Sequence, residues 1–437
     1  MSSNRQERSI HPTSKNLPRL MTVALVAALL LVTTIGHAQE VTLVFRQSDP
    51  PASAKGLETA IEEFTANNPN VKVKYEIVPW KDALQQYIRE TAVGAGPDVL
   101  MSAFVWTRDL AKAGKVLNLD PLIKNDPLPR GTGDFIALDL ALFNDNVYGI
   151  PWTSDTISMV YRQDLLEAAG IKMFPEDSWA SFQDAVKKLT RPRDKQYGFA
   201  FAAGSSFQCG SDFMSDYYLW SNGYTYIEQA PDGSWRPGVD VNTLADTIRY
   251  FKRFFDEKIT PDSLLASDDL HDPQIISGLS TGQYAVAFLA PAGMESVLNA
   301  NPKAPILSGQ LPAGKVRRIS HLGGRTLVIN KNTKHPDLAW KLLKWMASDH
   351  VMGKYYSQQF SAQKAQLKVI KYPSYFEGYV KMIPQAQTYY TYVMSPMRVA
   401  TKRELVNREF NAAYSGAKSV EDAAKSIIEK IRADLKK

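Results

Sequence analysis

The chain reads as an α/β protein of two lobes, each lobe a mostly parallel sheet flanked by helices, with several hinge crossings between them. Three observations predict this. Short apolar runs alternate with amphipathic stretches, two such series follow one another, and 437 residues exceed one typical domain. The composition, 44% hydrophobic and 22% charged with 25 Gly and 25 Pro, excludes collagen-like and largely disordered classes. The single cysteine, Cys209, excludes an intramolecular disulfide framework and a Cys-rich metal or cluster site.

Val41-Thr-Leu-Val-Phe45 reads as a buried strand. Leu57, Ala60, Ile61 and Phe64 then fall on one helical face, and Asn67-Asn68-Pro69-Asn70 stops that helix. Val71 to Val78 alternates as a strand does, and Ala83, Leu84, Tyr87 and Ile88 mark a second helix ending at Gly94-Ala-Gly96. Pro97-Asp-Val-Leu-Met101 opens a third strand. Strand–helix–strand–helix–strand implies parallel pairing with helices on the sheet faces. The pattern resumes beyond Tyr148-Gly149-Ile150-Pro151, with strands at Thr156–Tyr161, Tyr197–Phe201 and Tyr284–Leu289. Helices there carry Trp179, Phe182, Val186 and Leu189 behind a capping Ser178, then Leu244, Ile248, Phe251 and Phe255.

The first residues carry Arg5, Arg8, Lys15 and Arg19 against Glu7, followed by an uncharged apolar run from Leu20 to Ile35 and the small-residue exit Gly36-His37-Ala38. This is the pattern of a secretory signal cleaved near Ala38. The run is short for a bilayer core of ~30 Å, so a cleaved leader is expected rather than a retained anchor. Removing residues 1–38 takes away four basic side chains and one acidic one, lowering the formal net charge from +6 to +3. No run of Lys and Arg interleaved with aromatics remains, so nucleic acid is not an expected partner. An exported chain is expected.

Catalytic signatures are missing. Gly309-Gln-Leu-Pro-Ala-Gly314-Lys315-Val316 departs from a phosphate loop at Val316, where a hydroxyl would hold magnesium, and at Pro312. Gly131-Thr-Gly133 lacks the third glycine of a dinucleotide fingerprint, and Gly204-Ser-Ser lacks the flanking glycines of a nucleophile elbow. The Asp268-Asp269-Leu-His271-Asp272 cluster is read as a helix start and solvated loop rather than a cation site. No catalytic residue, metal or cofactor is expected.

A string of segments in fixed order carries a resemblance. Gly56-Leu57-Glu-Thr-Ala-Ile-Glu-Glu-Phe64, Asn68-Pro69-Asn-Val-Lys-Val73, Gly96-Pro97-Asp98-Val, Ala113-Gly114-Lys-Val-Leu-Asn-Leu119 and Val147-Tyr148-Gly149-Ile150-Pro151 come first. Val160-Tyr161-Arg-Gln-Asp164-Leu165, Ser178-Trp179-Ala-Ser-Phe182, Gly282-Gln-Tyr-Ala-Val-Ala-Phe288, Gly323-Gly324-Arg-Thr-Leu-Val-Ile329-Asn330 and His335-Pro336-Asp-Leu-Ala-Trp340 follow. Over nearly the whole mature chain this resembles the extracellular solute-binding proteins of bacterial ABC importers, in the sugar-binding family that includes maltose-binding protein. The resemblance implies a periplasmic monomer that closes on a sugar or polyol and delivers it to an inner-membrane permease driven by a cytoplasmic ATPase, with no bond made or broken. It implies an N-terminal lobe of residues 39–151 with 325–375 and a C-terminal lobe of 152–324 with 376–437.

Ligands of parallel α/β sheets sit at the carboxyl ends of strands. That rule nominates Gln47, Ser48 and Asp49 after the first strand and Ser102, Phe104 and Trp106 after the third. A sugar pairs an apolar face with a rim of hydroxyls, so Trp106, Trp152 and Phe104 suit its faces and Gln47, Asp49, Asp155 and Arg325 its rim. By the resemblance, Asp155 falls where the maltose-binding member has a ligand-binding acid. Ser102 and Val105-Trp106 differ from that member's contacts, which implies a different sugar. Also by the resemblance, Phe207, Gln208 and Asp212 in one second-lobe loop, Pro291 and Gly293 in another, and Arg398 face the cleft. Gly323 and Gly324 suit a hinge and a close approach to ligand. Three alternatives stand beside this reading: a phosphorylated polyol such as glycerol-3-phosphate clamped by Arg325 and Arg398, a secreted carbohydrate-active enzyme, and a receptor component serving a chemosensor.

Overall fold

The computed structural model describes residues 40–49, 56–206, 208–356 and 359–436. The leader at 1–38 and Phe207 lie outside the described residues. Ten strands build two main sheets: β1 (Val41–Gln47), β2 (Val71–Ile77), β3 (Val99–Ala103), β4 (Ile150–Asp155), β5 (Ser158–Arg162), β6 (Tyr197–Ala200), β7 (Tyr284–Leu289), β8 (Ile306–Gly309), β9 (Gly323–Ile329) and β10 (Phe360–Ser361). The first sheet is six-stranded, in the order β10-β4-β9-β3-β1-β2, and the second four-stranded, in the order β8-β5-β7-β6.

The parallel pairs are β1 with β2, β1 with β3, and β7 with β6. The expectation of mostly parallel sheets therefore holds for the opening βαβαβ unit and is corrected for the strands beside the crossings. β9 runs antiparallel to β3 and β4, and β5 runs antiparallel to β7 and β8. The reason is topological. The chain leaves the first sheet along β4 and returns along β9 in the opposite direction, so these neighbours cannot be parallel. β4 pairs with β9 as far as Asp155, and β5 begins at Ser158, so Thr156 and Ile157 join the sheets. Pro151, where the exit was expected, lies within β4.

Each sheet has its own apolar core. The first gathers Leu43, Phe45, Trp152, Leu327, Trp340 and Tyr356. The second is dense in aromatics, with Phe182 and Phe199 in ring contact with each other and each with Phe254 and Phe288. Burying each such ring contributes roughly 1.5–3 kcal/mol. The helices follow from spacing and caps. Leu57–Ala66 (α1) buries Leu57, Ala60, Ile61 and Phe64, the face its spacing predicts. Trp80–Ala92 (α2) buries Ala83 and Tyr87, and Ser178 starts the helix Trp179–Lys188 (α3) with a capping box to Ser181. Asp272 caps Pro273–Thr281 by accepting the Gln274 amide, so the acidic cluster serves a helix start. The 309–316 loop turns the Gln310 amide onto Glu176 Oε1 at 2.7 Å, a carboxylate where a phosphate loop would hold phosphate. Among the described residues no helix is long and apolar enough to cross a membrane.

Candidate functional site

The carboxyl ends of β1 and β4 and the start of β9 converge beside the Thr156–Ile157 crossing that joins the two sheets. Asp49 follows β1, Asp155 ends β4, and Arg325 is the third residue of β9. Arg325 donates from Nε and Nη2 to Asp49 Oδ1 at 3.0 and 2.8 Å, and from Nη1 to Asp155 Oδ2 at 2.6 Å. Tyr356 Oη donates to Asp49 Oδ2 at 2.6 Å, and the Asp49 amide donates to Gln47 Oε1 at 2.5 Å. Gln47 in turn donates to Tyr75 Oη at 2.9 Å. Asp49 is thus saturated, whereas Asp155 Oδ1 has only the longer pairing with His321 Nε2, at 3.7 Å, among the described residues.

Two glycines make room for this arrangement. A side chain at Gly323 would begin 2.2 Å from Asp155 Oδ1, and one at Gly324 would begin 2.2 Å from the Thr153 carbonyl oxygen and 2.5 Å from Phe104 Cζ. Gly324 also has φ +152°, which L side chains rarely adopt. The β4–β9 register slips between Arg325 and Thr326, whose partners are Thr153 and Pro151, so Trp152 is the extra residue of a bulge beside the site.

Aromatic rings flank the charges. The Arg325 guanidinium lies over the Trp80 ring at 4.6 Å, and Trp80 stacks on Trp106 with centroids 4.5 Å apart. From the second lobe, the helix Ser211–Ser221 (α4) brings Tyr217, whose hydroxyl lies 2.6 Å from His321 Nδ1, and Phe213, 4.6 Å from the His321 ring. Arg403 lies over Phe213 at 4.7 Å, with Nε 3.4 Å from Asp212 Oδ2. Lys402, wholly buried, reaches Asp216 Oδ2 at 2.5 Å.

Burial alone would push the Asp155 carboxyl up, but the Arg325 charge and His321 hold it well below the usual carboxylate range. Burial disfavours the Arg325 cation, and Asp49 and Asp155 more than offset this. Burial keeps His271 below the ordinary histidine range, with Asp269 and Asp155 opposing it. Burial pushes the thiol of Cys209, which is only half-buried, up to about 12.

The family model for the bacterial extracellular solute-binding protein matches residues 48–353. The chain belongs to this family. A maltotriose-binding protein of Pyrococcus abyssi is 24% identical over 307 residues, spanning 68% of this chain and 61% of that one. A maltodextrin-binding protein of Bacillus subtilis is 26% identical over 326 residues, spanning 69% of this chain and 72% of its own. An ABC transporter solute-binding protein from Thermotoga lettingae, solved with α-D-tagatose, superposes with a TM-score of 0.78 at 18% identity, covering 90% of this chain and 99% of that one.

Within this solute-binding protein the nominated residues take different places. Asp49, Asp155, Gly323, Gly324 and Arg325 form the cluster, with Phe104 against Gly324 and Trp106 outermost in the stack. Gln47 and Ser102 serve as supports, Ser102 accepting from Thr107 at 3.2 Å. Ser48 is buried with no partner for its hydroxyl among the described residues. On the second lobe, Pro291 opens the helix Pro291–Ala300 (α5), and Gly293 lies so close to His271 that a Cβ would sit 2.4 Å from its ring. The Gln208 carbonyl accepts from Asn407 Nδ2 at 2.8 Å, and Asp212 Oδ1 accepts the Gly210 amide at 3.2 Å.

Two expectations are corrected. Trp152 does not offer a face to a ligand: it is 1% exposed, donates to the Met346 carbonyl at 2.9 Å and stacks on Tyr356 at 4.8 Å. Arg325 and Arg398 do not form a phosphate clamp. Arg325 is held by two carboxylates, and Arg398 is exposed at the start of the helix Val399–Tyr414 (α6). Sequence reasoning missed Trp80, Tyr217, His321, Tyr356 and Arg403. Trp80 was within reach of the strand-end rule, since Val78-Pro79-Trp80 directly follows β2; the others carry no local signal, because the fold alone brings them in. A cavity of about 700 Å³ also opens on the first lobe, between the end of α1, the 127–131 turn and Trp345. None of the cluster residues lines it.

Proposed function

We propose that this protein captures a sugar or related polyol between its two lobes and hands it, chemically unchanged, to an inner-membrane permease powered by a cytoplasmic ATPase. The observation that carries the reading is Asp155 at the point where the chain crosses between sheets, its Oδ2 held by Arg325 and its Oδ1 3.7 Å from His321, with the Arg325 guanidinium lying over the Trp80–Trp106 stack. That combination offers a hydroxyl acceptor beside an apolar ring, the pairing a carbohydrate needs. The names of the maltotriose- and maltodextrin-binding relatives support the same class.

In this reading the lobes correspond to residues 39–151 with 325–375 and 152–324 with 376–437, with β4 extending the first lobe to Asp155. They rotate about Thr156–Ile157, Leu322–Gly324 and a third crossing near 372–380 to enclose ligand. The leader directs the chain to the periplasm and is removed near Ala38, and the mature protein works as a monomer without catalysis.

A thermal-shift screen across mono-, oligosaccharides and polyols tests this. A ligand bound only by the folded state raises the melting temperature by mass action. A raised melting temperature, stoichiometric heat in calorimetry and recovery of the unaltered sugar support a binding protein. Turnover of the sugar points to a carbohydrate-active enzyme instead, and no response across the screen removes the sugar reading.

A further inference from the structure

The charges around the site bear on which chemical class of polyol it accepts, an inference that rests on the reading of this cluster as the ligand site. Arg325 is outnumbered. Each of its three guanidinium nitrogens meets a carboxylate oxygen of Asp49 or Asp155, and the Trp80 ring covers its face at 4.6 Å. A guanidinium so engaged has no carboxylate-free edge with which to fork a ligand phosphate or carboxylate.

The opposing wall does not make up the difference. There Arg403 faces Asp212 at 3.4 Å, and buried behind it Lys402 faces Asp216 at 2.5 Å, two cations against two carboxylates. His271 sits beside another acid, its amide donating to Asp269 Oδ1 at 2.8 Å. Among these side chains acids exceed cations by one on each wall, Asp49 and Asp155 against Arg325 on the first and Asp212, Asp216 and Asp269 against Arg403 and Lys402 on the second, and on the first wall Asp155 Oδ1 faces only the longer contact to His321 at 3.7 Å. Gly323 adds no side chain next to that oxygen, where the His321 ring already lies 2.8 Å from the position a Cβ would take.

We propose that the cleft selects polyols bearing no anionic group: a ligand hydroxyl or ammonium donates to Asp155 Oδ1, and sugar acids and sugar phosphates are turned away. Two like charges ~4 Å apart at an effective dielectric of ~20 repel enough to weaken binding about a thousand-fold. A donor placed on Asp155 Oδ1, closer than His321 Nε2 stands, gains a charge-assisted hydrogen bond instead.

The test is calorimetry at pH 7 on the mature protein with matched probes: glucose, glucosamine, glucuronate and glucose-6-phosphate, then maltotriose, then glycerol against glycerol-3-phosphate. Wherever a set binds, the neutral or aminated member is expected to bind at least a hundred-fold more tightly than its acid or phosphate. Asp155→Asn should narrow that gap at least ten-fold. An amino-sugar advantage lost in Asp155→Asn assigns the donor as ammonium; equal binding of glucose and glucosamine assigns it as hydroxyl. An acid or phosphate that binds as tightly as its neutral partner overturns the proposal, as does a gap that Asp155→Asn leaves unchanged.

A ligand-free readout separates this proposal from the sugar reading. The fluorescence contribution of Trp106, taken as the difference between wild type and Trp106→Phe, should show a caesium-to-iodide ratio of quenching constants above that of free N-acetyltryptophanamide. If no sugar binds, the sugar reading falls, while a raised ratio still supports a cleft that repels anions. A ratio at or below that of the free amide overturns the proposal whichever sugars bind.

Discussion

Arg325 Nη1 lies 2.6 Å from Asp155 Oδ2, an ion pair between the strand that leaves the first lobe and the strand that returns to it. The same guanidinium also holds Asp49 at the end of β1, so one side chain ties together three strand ends. Pairing of this kind fixes the direction of the remaining Asp155 oxygen, and the two glycines that follow His321-Leu322 allow the carboxylate and the returning backbone to share the space.

Replacing Arg325 by Met should destabilise the protein by about 3–5 kcal/mol, because it strands Asp49, whose side chain is 2% exposed, with Tyr356 as its main remaining donor. Adding Asp49→Asn to Arg325→Met should recover part of that loss. Urea unfolding of the single and double variants measures both, and a cost under ~1 kcal/mol for Arg325→Met would show that the guanidinium does not carry the cluster.

The depressed pKa of Asp155 sets an acid limit. An unfolded aspartate takes up its proton near pH 4, while the folded one holds its charge to lower pH. The unfolded state therefore binds more protons in the window below about pH 4, and stability falls as pH drops through it. Above about pH 5 this contribution is complete and constant. Unfolding free energies of wild type and Asp155→Asn should differ most at neutral pH and converge on acidification. Curves that stay parallel down to pH 3 would contradict the assignment.

Much of the fold was legible in the sequence because its signals are local. The spacing of Leu57, Ala60, Ile61 and Phe64, the Ser178 cap and the run Tyr284–Leu289 each specify an element without help from distant residues. The antiparallel return of β9 was not legible, since strand direction depends on where the second lobe releases the chain. At the site, Asp49, Asp155 and Arg325 were found by strand ends, polar chemistry and resemblance, but their mutual pairing was not, as it joins residues 276 and 170 positions apart. Trp152 misled for a physical reason: the exit was expected at Pro151, but β4 runs on to Asp155, and the bulge inside it coincides with an indole anchored to Met346 in the core.

Trp152 and Trp106 should consequently separate stability from binding. Trp152→Ala removes a fully buried ring and is expected to cost about 3–5 kcal/mol while leaving ligand affinity, measured on the folded fraction, within a few-fold. Trp106→Ala, at the half-buried outer end of the stack, should unfold within about 1–2 kcal/mol of wild type and lose most of the thermal shift that a bound sugar gives. The reverse pattern would place the ligand against the core of the first lobe instead of the Trp80–Trp106 stack.

The buried pair Lys402–Asp216 lies behind the second-lobe wall, and its geometry sets the last expectation. Asp216 also accepts from Tyr389 at 3.0 Å and Tyr392 at 2.9 Å, and Lys402 lies 4.9 Å over the rings of Tyr226 and Tyr392. Lys402→Met leaves a charged acid with two phenols and no cation, at a cost of about 3–5 kcal/mol. Adding Asp216→Asn removes that charge while keeping an acceptor for a phenol, so the double variant should be more stable than Lys402→Met alone. Because Tyr389 and Tyr392 anchor the segment around the short helix Tyr390–Met394 to α4, Lys402→Met should also speed amide exchange in both elements, while the β1–β2 amides of the first lobe keep their protection. Uniform loss of protection across both lobes would show that the pair supports the whole molecule rather than this wall.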